Sequence, residues 1–151
     1  MKKTFRIIAA FIAVVMSVVV WSCSDDDKNE AIPVNQLPDI AQSFIKNHYG
    51  GVPVASVIRD NDNGIVEYDV RFSNGQEVSF DAVGQWSDVD APWHLTIPDG
   101  IAPEPIVEYI SANYAGEGIN EISRGPGGYE VELTNGTGLF FDPDGNFVMV
   151  G

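Results

Sequence analysis

The chain has 151 residues, 44% of them hydrophobic, with 8 Lys+Arg against 22 Asp+Glu and a formal charge of −14. Such an excess of carboxylates disfavours nucleic acid and anionic lipid head groups, both of which are held by basic patches. It suits a basic partner, a cation, or simply a solvated surface. A single cysteine, Cys23, excludes an intramolecular disulfide.

Residues 1–22 read as a segment outside the fold. Lys2, Lys3 and Arg6 form a basic start, and Ile7 to Val20 is an apolar run broken only by Ser17. The run is shorter than an ordinary membrane span and has the pattern of a secretory signal peptide. Cys23 follows directly after Ser22, and Val20-Trp21-Ser22-Cys23 resembles the lipobox of bacterial lipoproteins, with Trp21 where a small residue is usual. That resemblance implies a thiol carrying a diacylglycerol, cleavage before Cys23, and a membrane partner reached through the lipid. Two or three acyl chains anchor a protein stably where one does not. Cleavage there removes three basic groups and no acidic ones, leaving 5 Lys+Arg against 22 Asp+Glu, a formal charge of −17.

Residues 23–36 hold a like-charge block, Asp25-Asp26-Asp27, and little apolar content, so an acidic disordered tether is expected. A solvated spacer and a surface-export signal like that of Bacteroidetes lipoproteins both stay open. The anchor is accordingly expected on the outer membrane, facing the periplasm or the cell surface.

From Leu37 the pattern changes. Pro38 opens a helix carrying Ala41, Phe44, Ile45 and Tyr49 on one side, ended by Gly50-Gly51. A strand over Val54 to Arg59 follows, with a loop from Asp60 to Gly64. Val66 to Phe72 alternates strictly, with Val66, Tyr68, Val70 and Phe72 on one face and Glu67, Asp69 and Arg71 on the other. Period-two alternation means one buried and one wet face, as in an antiparallel sheet. Asn74-Gly75 is a strong hairpin signal, and Val83-Gly84 turns the next corner. Residues 87–100 read as a connector. Pro103 then opens a second helix with Ile106, Tyr109, Ile110 and Tyr114, and further strands follow from Ile119 to Arg124 and onward from Tyr129.

The second half repeats the first. Residues 68–81 (YDVRFSNGQEVSFD) return 61 positions later as residues 129–142 (YEVELTNGTGLFFD), and residues 38–49 pair with 103–114 at an offset of 65. Self-similarity at a fixed period predicts architecture directly. The expected fold is α+β, a tandem repeat of a helix plus a four-stranded antiparallel meander, with the helices packed on one face of a continuous sheet. One domain over 37–151 is expected, made of repeats at about 37–90 and 101–151, because a half of that size buries little surface alone.

Chemistry-bearing constellations are thin, and no enzyme is expected. His48 stands on the first helix where the repeat has Asn113, and His94 sits in the connector beside Trp93 with no nucleophile at a recognisable spacing. Asp60-Asn61-Asp62-Asn63-Gly64 starts like a calcium loop, but its glycine comes fifth and Arg71 occupies the twelfth position. A hairpin turn explains Asp142 to Asn146. The sequence contains no zinc-type cluster, phosphate loop or dinucleotide fingerprint, and no cofactor or metal site is expected. Calcium remains a weaker alternative.

The doubled Tyr-[Asp/Glu]-Val-x-[Phe/Leu]-[Ser/Thr]-Asn-Gly motif, with its Phe-Asp-x-x-Gly-x-[Trp/Phe] tail, resembles the PepSY-like, β-lactamase-inhibitor-like lipoproteins of Bacteroidetes. The resemblance covers nearly all of 37–151. It implies a tandem α/β4 fold and, by analogy with the more distant β-lactamase inhibitory protein, an open sheet face that grips a protein. The expected function is a lipid-anchored, non-enzymatic envelope module that binds a protein or peptide and modulates or inhibits it; the alternative is a calcium- or cation-responsive envelope protein. The expected partner face carries Glu67, Asp69, Arg71, Glu77, Glu130 and Glu132, with Phe140, Val148 and Val150 pointing outward as an apolar patch.

Overall fold

A computed structural model describes residues 29–151. The signal peptide and the lipidated Cys23 expected from the sequence lie outside the described residues.

Helices form where apolar side chains recur at helical spacing. Helix α1 (Asp39–Tyr49) starts after Pro38 and buries Ala41, Ile45 and Tyr49, and helix α2 (Glu104–Asn113) starts after Pro103 and buries Ile106 and Ile110. Helices this short need a surface to pack on. Here it is a sheet of nine antiparallel strands in sequence order. A two-residue strand β1 (Glu30–Ala31) precedes α1, which is followed by β2 (Val54–Asp62), β3 (Ile65–Phe72), β4 (Glu77–Asp81) and β5 (Trp86–Asp90). After α2 come β6 (Ile119–Gly125), β7 (Gly128–Leu133), β8 (Gly138–Phe141) and β9 (Phe147–Val150). The described residues are thus α+β, with two α-helices and one open antiparallel sheet.

The core is a set of cross-strand rows on the helix side. Val57, Val70, Val78, Val89, Ile122, Val131, Leu139 and Val150 stand opposite one another from β2 to β9. All but the last, at the sheet edge, are buried. Next to this row, Phe80 meets Phe44 of α1 edge-to-face at 5.4 Å, and Phe141 meets Tyr109 of α2 the same way at 5.5 Å. Tyr49 stacks on Phe72 at 4.0 Å, and Tyr109 on Phe147 at 4.4 Å. Val70 and Phe72, on the face that alternation sets opposite the charges, are buried together with Val78, Phe80, Val131, Leu133, Leu139 and Phe141, and Tyr68 and Tyr129 pack against the same cluster.

Four β-bulges shift the register, at Ala55 in β2, Ser87 between β4 and β5, Asn120 in β6, and Val148 between β8 and β9. Each inserts one residue and turns the following side chains to the opposite face from simple alternation.

Three expectations need correction. The tether does not extend to residue 36. Glu30 and Ala31 pair with Arg59 and Ile58, the Ile32 N–H donates to the Val57 carbonyl at 3.0 Å, and Ile32 and Val34 pack on the core. The two apolar side chains override the polar composition around them because they cover the β2 edge. Next, Asp60 to Gly64 is no loop. Asp60, Asn61 and Asp62 continue β2, and the turn is only Asn63-Gly64, with φ of 51° and 86°. Each strand of the β2–β3 hairpin is therefore longer than its counterpart around Pro126-Gly127. That leaves the alternation intact despite the insertion. Finally, Ser87 to Asp90 belong to β5, so the connector begins at Ala91.

Candidate binding face

The side of the sheet away from the helices is built from two complete cross-strand rows. One runs Ile58, Asp69, Ser79, Asp88, Ser123, Glu130, Phe140 and Met149. The other runs Ser56, Arg71, Glu77, Asp90, Glu121, Glu132 and Gly138. Strands lie ~4.8 Å apart, so neighbours along a row are near contact. Carboxylates are three of the eight residues in the first row and four of the seven in the second, and Arg71 is the only cation in them.

Polar contacts absorb part of this charge in the first half. Arg71 Nε donates to Glu77 Oε1 at 2.6 Å, and Ser79 Oγ donates to Asp69 Oδ1 at 2.6 Å. Both groups of the ion pair are substantially exposed, so the pair contributes little stability. In the second half the positions of Arg71 and Glu77 are taken by Glu132 and Gly138. Glu121, Glu130 and Glu132 there line a shallow groove floored by Gly136 and Gly138 and flanked by Phe140.

The centre of the face carries the most strained charge. Asp88 is partly buried between Ser79 and Ser123, and its pKa is pushed from 3.8 to about 7. Burial is the larger cause, followed by the negative fields of Glu121, Asp90, Asp69 and Glu77. Glu67 is raised in the same way, by burial, then by Asp69 and Asp60.

Glu67, Asp69, Arg71, Glu77, Glu130, Glu132 and Phe140 share this open face, where alternation placed them. Val150 does not. It stands opposite Leu139 on the helix side, whereas Met149 is the residue opposite Phe140. Val148 is the bulge residue, and it accounts for the flip. The same shift at Ser87 places Val89 in the core at 0% exposure and brings Asp88 and Asp90 onto the open face. Sequence reasoning missed Asp88, Asp90 and Glu121. Simple alternation could not find them, because a bulge lies just before each group.

The other chemistry-bearing residues are occupied locally. His48 packs on Phe44 with ring centroids 4.6 Å apart, and His94 Nδ1 lies 3.2 Å from the Thr134 carbonyl. Asn61 Oδ1 accepts from the Gly64 N–H and Asp62 Oδ1 from Asn63 Nδ2, so the turn itself uses these acceptors. Asp142 accepts from the Asp144 and Asn146 N–H groups and from Asn146 Nδ2, and these bonds hold its carboxyl below the usual range. Among the described residues no group of three His, Cys, Asp or Glu side chains is arranged to hold a metal ion, and no helix is long and apolar enough to cross a membrane.

The chain matches the family described as "Putative beta-lactamase-inhibitor-like, PepSY-like" over residues 20–67 and 66–149. Among solved structures it is similar to a protein of Bacteroides thetaiotaomicron described as a putative calcium-regulated periplasmic protein. The two share 36% identity and superpose with a TM-score of 0.78, over 82% of this chain and 96% of that one. It is also similar to a putative periplasmic protein of the DUF2874 family from Bacteroides vulgatus, at 36% identity and a TM-score of 0.77 over 85% and 99% of the two chains. A further putative periplasmic protein of unknown function from Bacteroides vulgatus is 31% identical, with a TM-score of 0.77 over 82% and 99%. Curated proteins yield no significant match. Two matched segments that together span most of the chain, and neighbours above 30% identity with the same fold, make this chain a member of the PepSY-like, β-lactamase-inhibitor-like family.

Proposed function

We propose that the protein is a non-enzymatic binding module of the cell envelope, anchored through a lipid on Cys23, whose open sheet face holds a basic segment of a protein partner. The observation that carries this reading is the pair of acidic rows with Phe140 at their second-half end. An aromatic side chain with an acidic surround combines a desolvated anchor with electrostatic selection of a basic partner. The fold reading is part of the proposal: two copies of one helix-plus-meander unit, at about 37–90 and 101–151, with the helices leaving one face open. The periplasmic descriptions of the Bacteroides neighbours support an envelope location. The family description supports modulation or inhibition of the partner. The test is capture from an envelope extract by the full chain. Phe140→Ala and Glu130→Lys should each weaken capture of the same partner while the melting temperature stays nearly unchanged. Undiminished capture by both variants would exclude the open face.

A second reading, a calcium- or cation-responsive protein, is favoured by one observation. Asp69, Glu77, Asp88, Asp90 and Glu121 stand on adjacent strands of one face. Although no three of them are arranged as a ligand set, a cation held in their combined field would relieve the repulsion at Asp88. The Bacteroides thetaiotaomicron neighbour described as calcium-regulated supports it. Millimolar calcium should then raise the melting temperature by several degrees, and Asp88→Asn should abolish the rise. No rise at millimolar calcium would rule this reading out.

A further inference from the structure

The turn at 92–95 is held more firmly than a connector requires. The Leu95 N–H donates to the Pro92 carbonyl at 2.9 Å, and His94 between them has φ of 68°. A turn with a left-handed third residue normally takes Gly or Asn there, so a histidine is held at a cost in backbone energy. Three supports hold it. Asn120, the bulge residue of β6 and only 4% exposed, directs Nδ2 at the carbonyls of Ala91, Pro92 and Leu95 at 3.0, 3.0 and 2.8 Å. His94 Nδ1 reaches the Thr134 carbonyl. The Trp93 ring lies across the β7–β8 hairpin, where a Cβ added to Gly136 would come within 3.1 Å of it.

So firm a mount nevertheless displays apolar surface, with Trp93 and Leu95 each 53% exposed. The other tryptophan of the described residues, Trp86, is covered by the Arg124 guanidinium 4.6 Å from its ring. Trp93 has the His94 ring beside it at 4.7 Å, tilted by 57°, which leaves half of its surface open. The chain is poor in cations, with Arg71 held by Glu77 and Arg124 by Trp86. A second copy would bring the same acidic surface and be repelled. Gly136, under the Trp93 ring, also borders the groove that contains Glu132 and Phe140.

We propose that Trp93 is the cation-stacking anchor of the partner face, receiving an arginine or lysine of an extended basic segment that continues over Gly136 and Gly138 toward Phe140. This rests on the open-face reading above and names its partner's chemistry. Guanidinium or ammonium over an indole face gains both quadrupole attraction and apolar cover. The preformed turn reduces the ordering cost of that contact.

The test is a displayed random heptapeptide library selected on the immobilised full chain. Enriched peptides should carry Arg or Lys beside apolar residues, bind Trp93→Ala about three- to tenfold more weakly, and bind Trp93→Phe with intermediate affinity. Equal affinity for parent and Trp93→Ala, enrichment of acidic or uncharged peptides, or no enrichment would each overturn the proposal. Should Trp93→Ala itself melt early, Trp93→Leu decides, since it keeps a cover over Gly136 without a π face; unchanged affinity there overturns it. Peptides lost on Phe140→Ala but not on Trp93→Ala leave the open-face reading standing and remove the anchor. The reverse pattern keeps the anchor and removes the open face.

Discussion

Replacing Asp88 by asparagine should stabilise the protein at pH 8 and leave it nearly unchanged at about pH 3, below the ordinary carboxylate value of 3.8. The folded-state pKa of Asp88 is about 7 against an ordinary 3.8, so the fold prefers the protonated side chain. Below 3.8 both folded and unfolded states are protonated, and the site has no effect on stability. Between 3.8 and about 7 the folded state holds a proton that the unfolded state has released, so stability falls as pH rises. Above about 7 the full cost of a buried, crowded carboxylate is present. The gap between the two pKa values sets a ceiling of about 4 kcal/mol, at 1.36 kcal/mol per pH unit. Partial exposure of the side chain to water lowers the expected gain to about 1–3 kcal/mol at pH 8. Asparagine keeps the shape and removes the charge. Urea unfolding of parent and variant at both pH values, with a chelator present, measures the difference directly. An equal change at both pH values would show a packing effect and refute the electrostatic argument, as would a loss of stability at pH 8.

Phe72→Ala and Phe141→Ala, each 1% exposed in the native fold, should cost about 3–5 kcal/mol of unfolding free energy; a loss below about 1 kcal/mol would contradict their core placement. Asn120→Ala should cost about 2–3 kcal/mol, because it leaves the carbonyls of Ala91, Pro92 and Leu95 without their buried donor, and hydrogen exchange should quicken in the connector. Cys23→Ala should give a product that no longer labels with a fatty-acid analogue or fractionates with membranes, and retained labelling would disprove the lipid anchor.

Helices, hairpin turns and most of the core were legible because each depends on near neighbours in the chain. Pro38 and Pro103 open helices, Asn74-Gly75 and Asn135-Gly136 close hairpins, and Tyr68 to Phe72 alternates with the pleat. These signals need only propensity and period. The repeat also aligned the two halves well enough to pick out Phe80 and Phe141 as equivalent core residues, and both are buried. Legibility failed wherever one residue was inserted into a strand. Val150 was placed on the wet face by counting and Val89 in a connector, and bulges at Val148 and Ser87 set both on the helix side.

The sequence by itself determined the α+β class, the order of the elements, the acidic character of the surface and the family. Composition and local periodicity carry the first three, and the resemblance of the doubled Tyr-[Asp/Glu]-Val-x-[Phe/Leu]-[Ser/Thr]-Asn-Gly motif carries the family. Only the tertiary structure decided that β5 pairs with β6, setting Asp88 against Ser123 and Asp90 against Glu121. That junction gathers carboxylates from both halves around one partly buried aspartate and raises its pKa. It likewise decided that Asn120 grips the turn carrying Trp93, although some 25 residues separate the two in the chain. Such groupings depend on strand register and bulge position. A single inserted residue reverses a side chain's face without altering composition or propensity, so the partners of Asp88 and Trp93 are set by the assembled sheet.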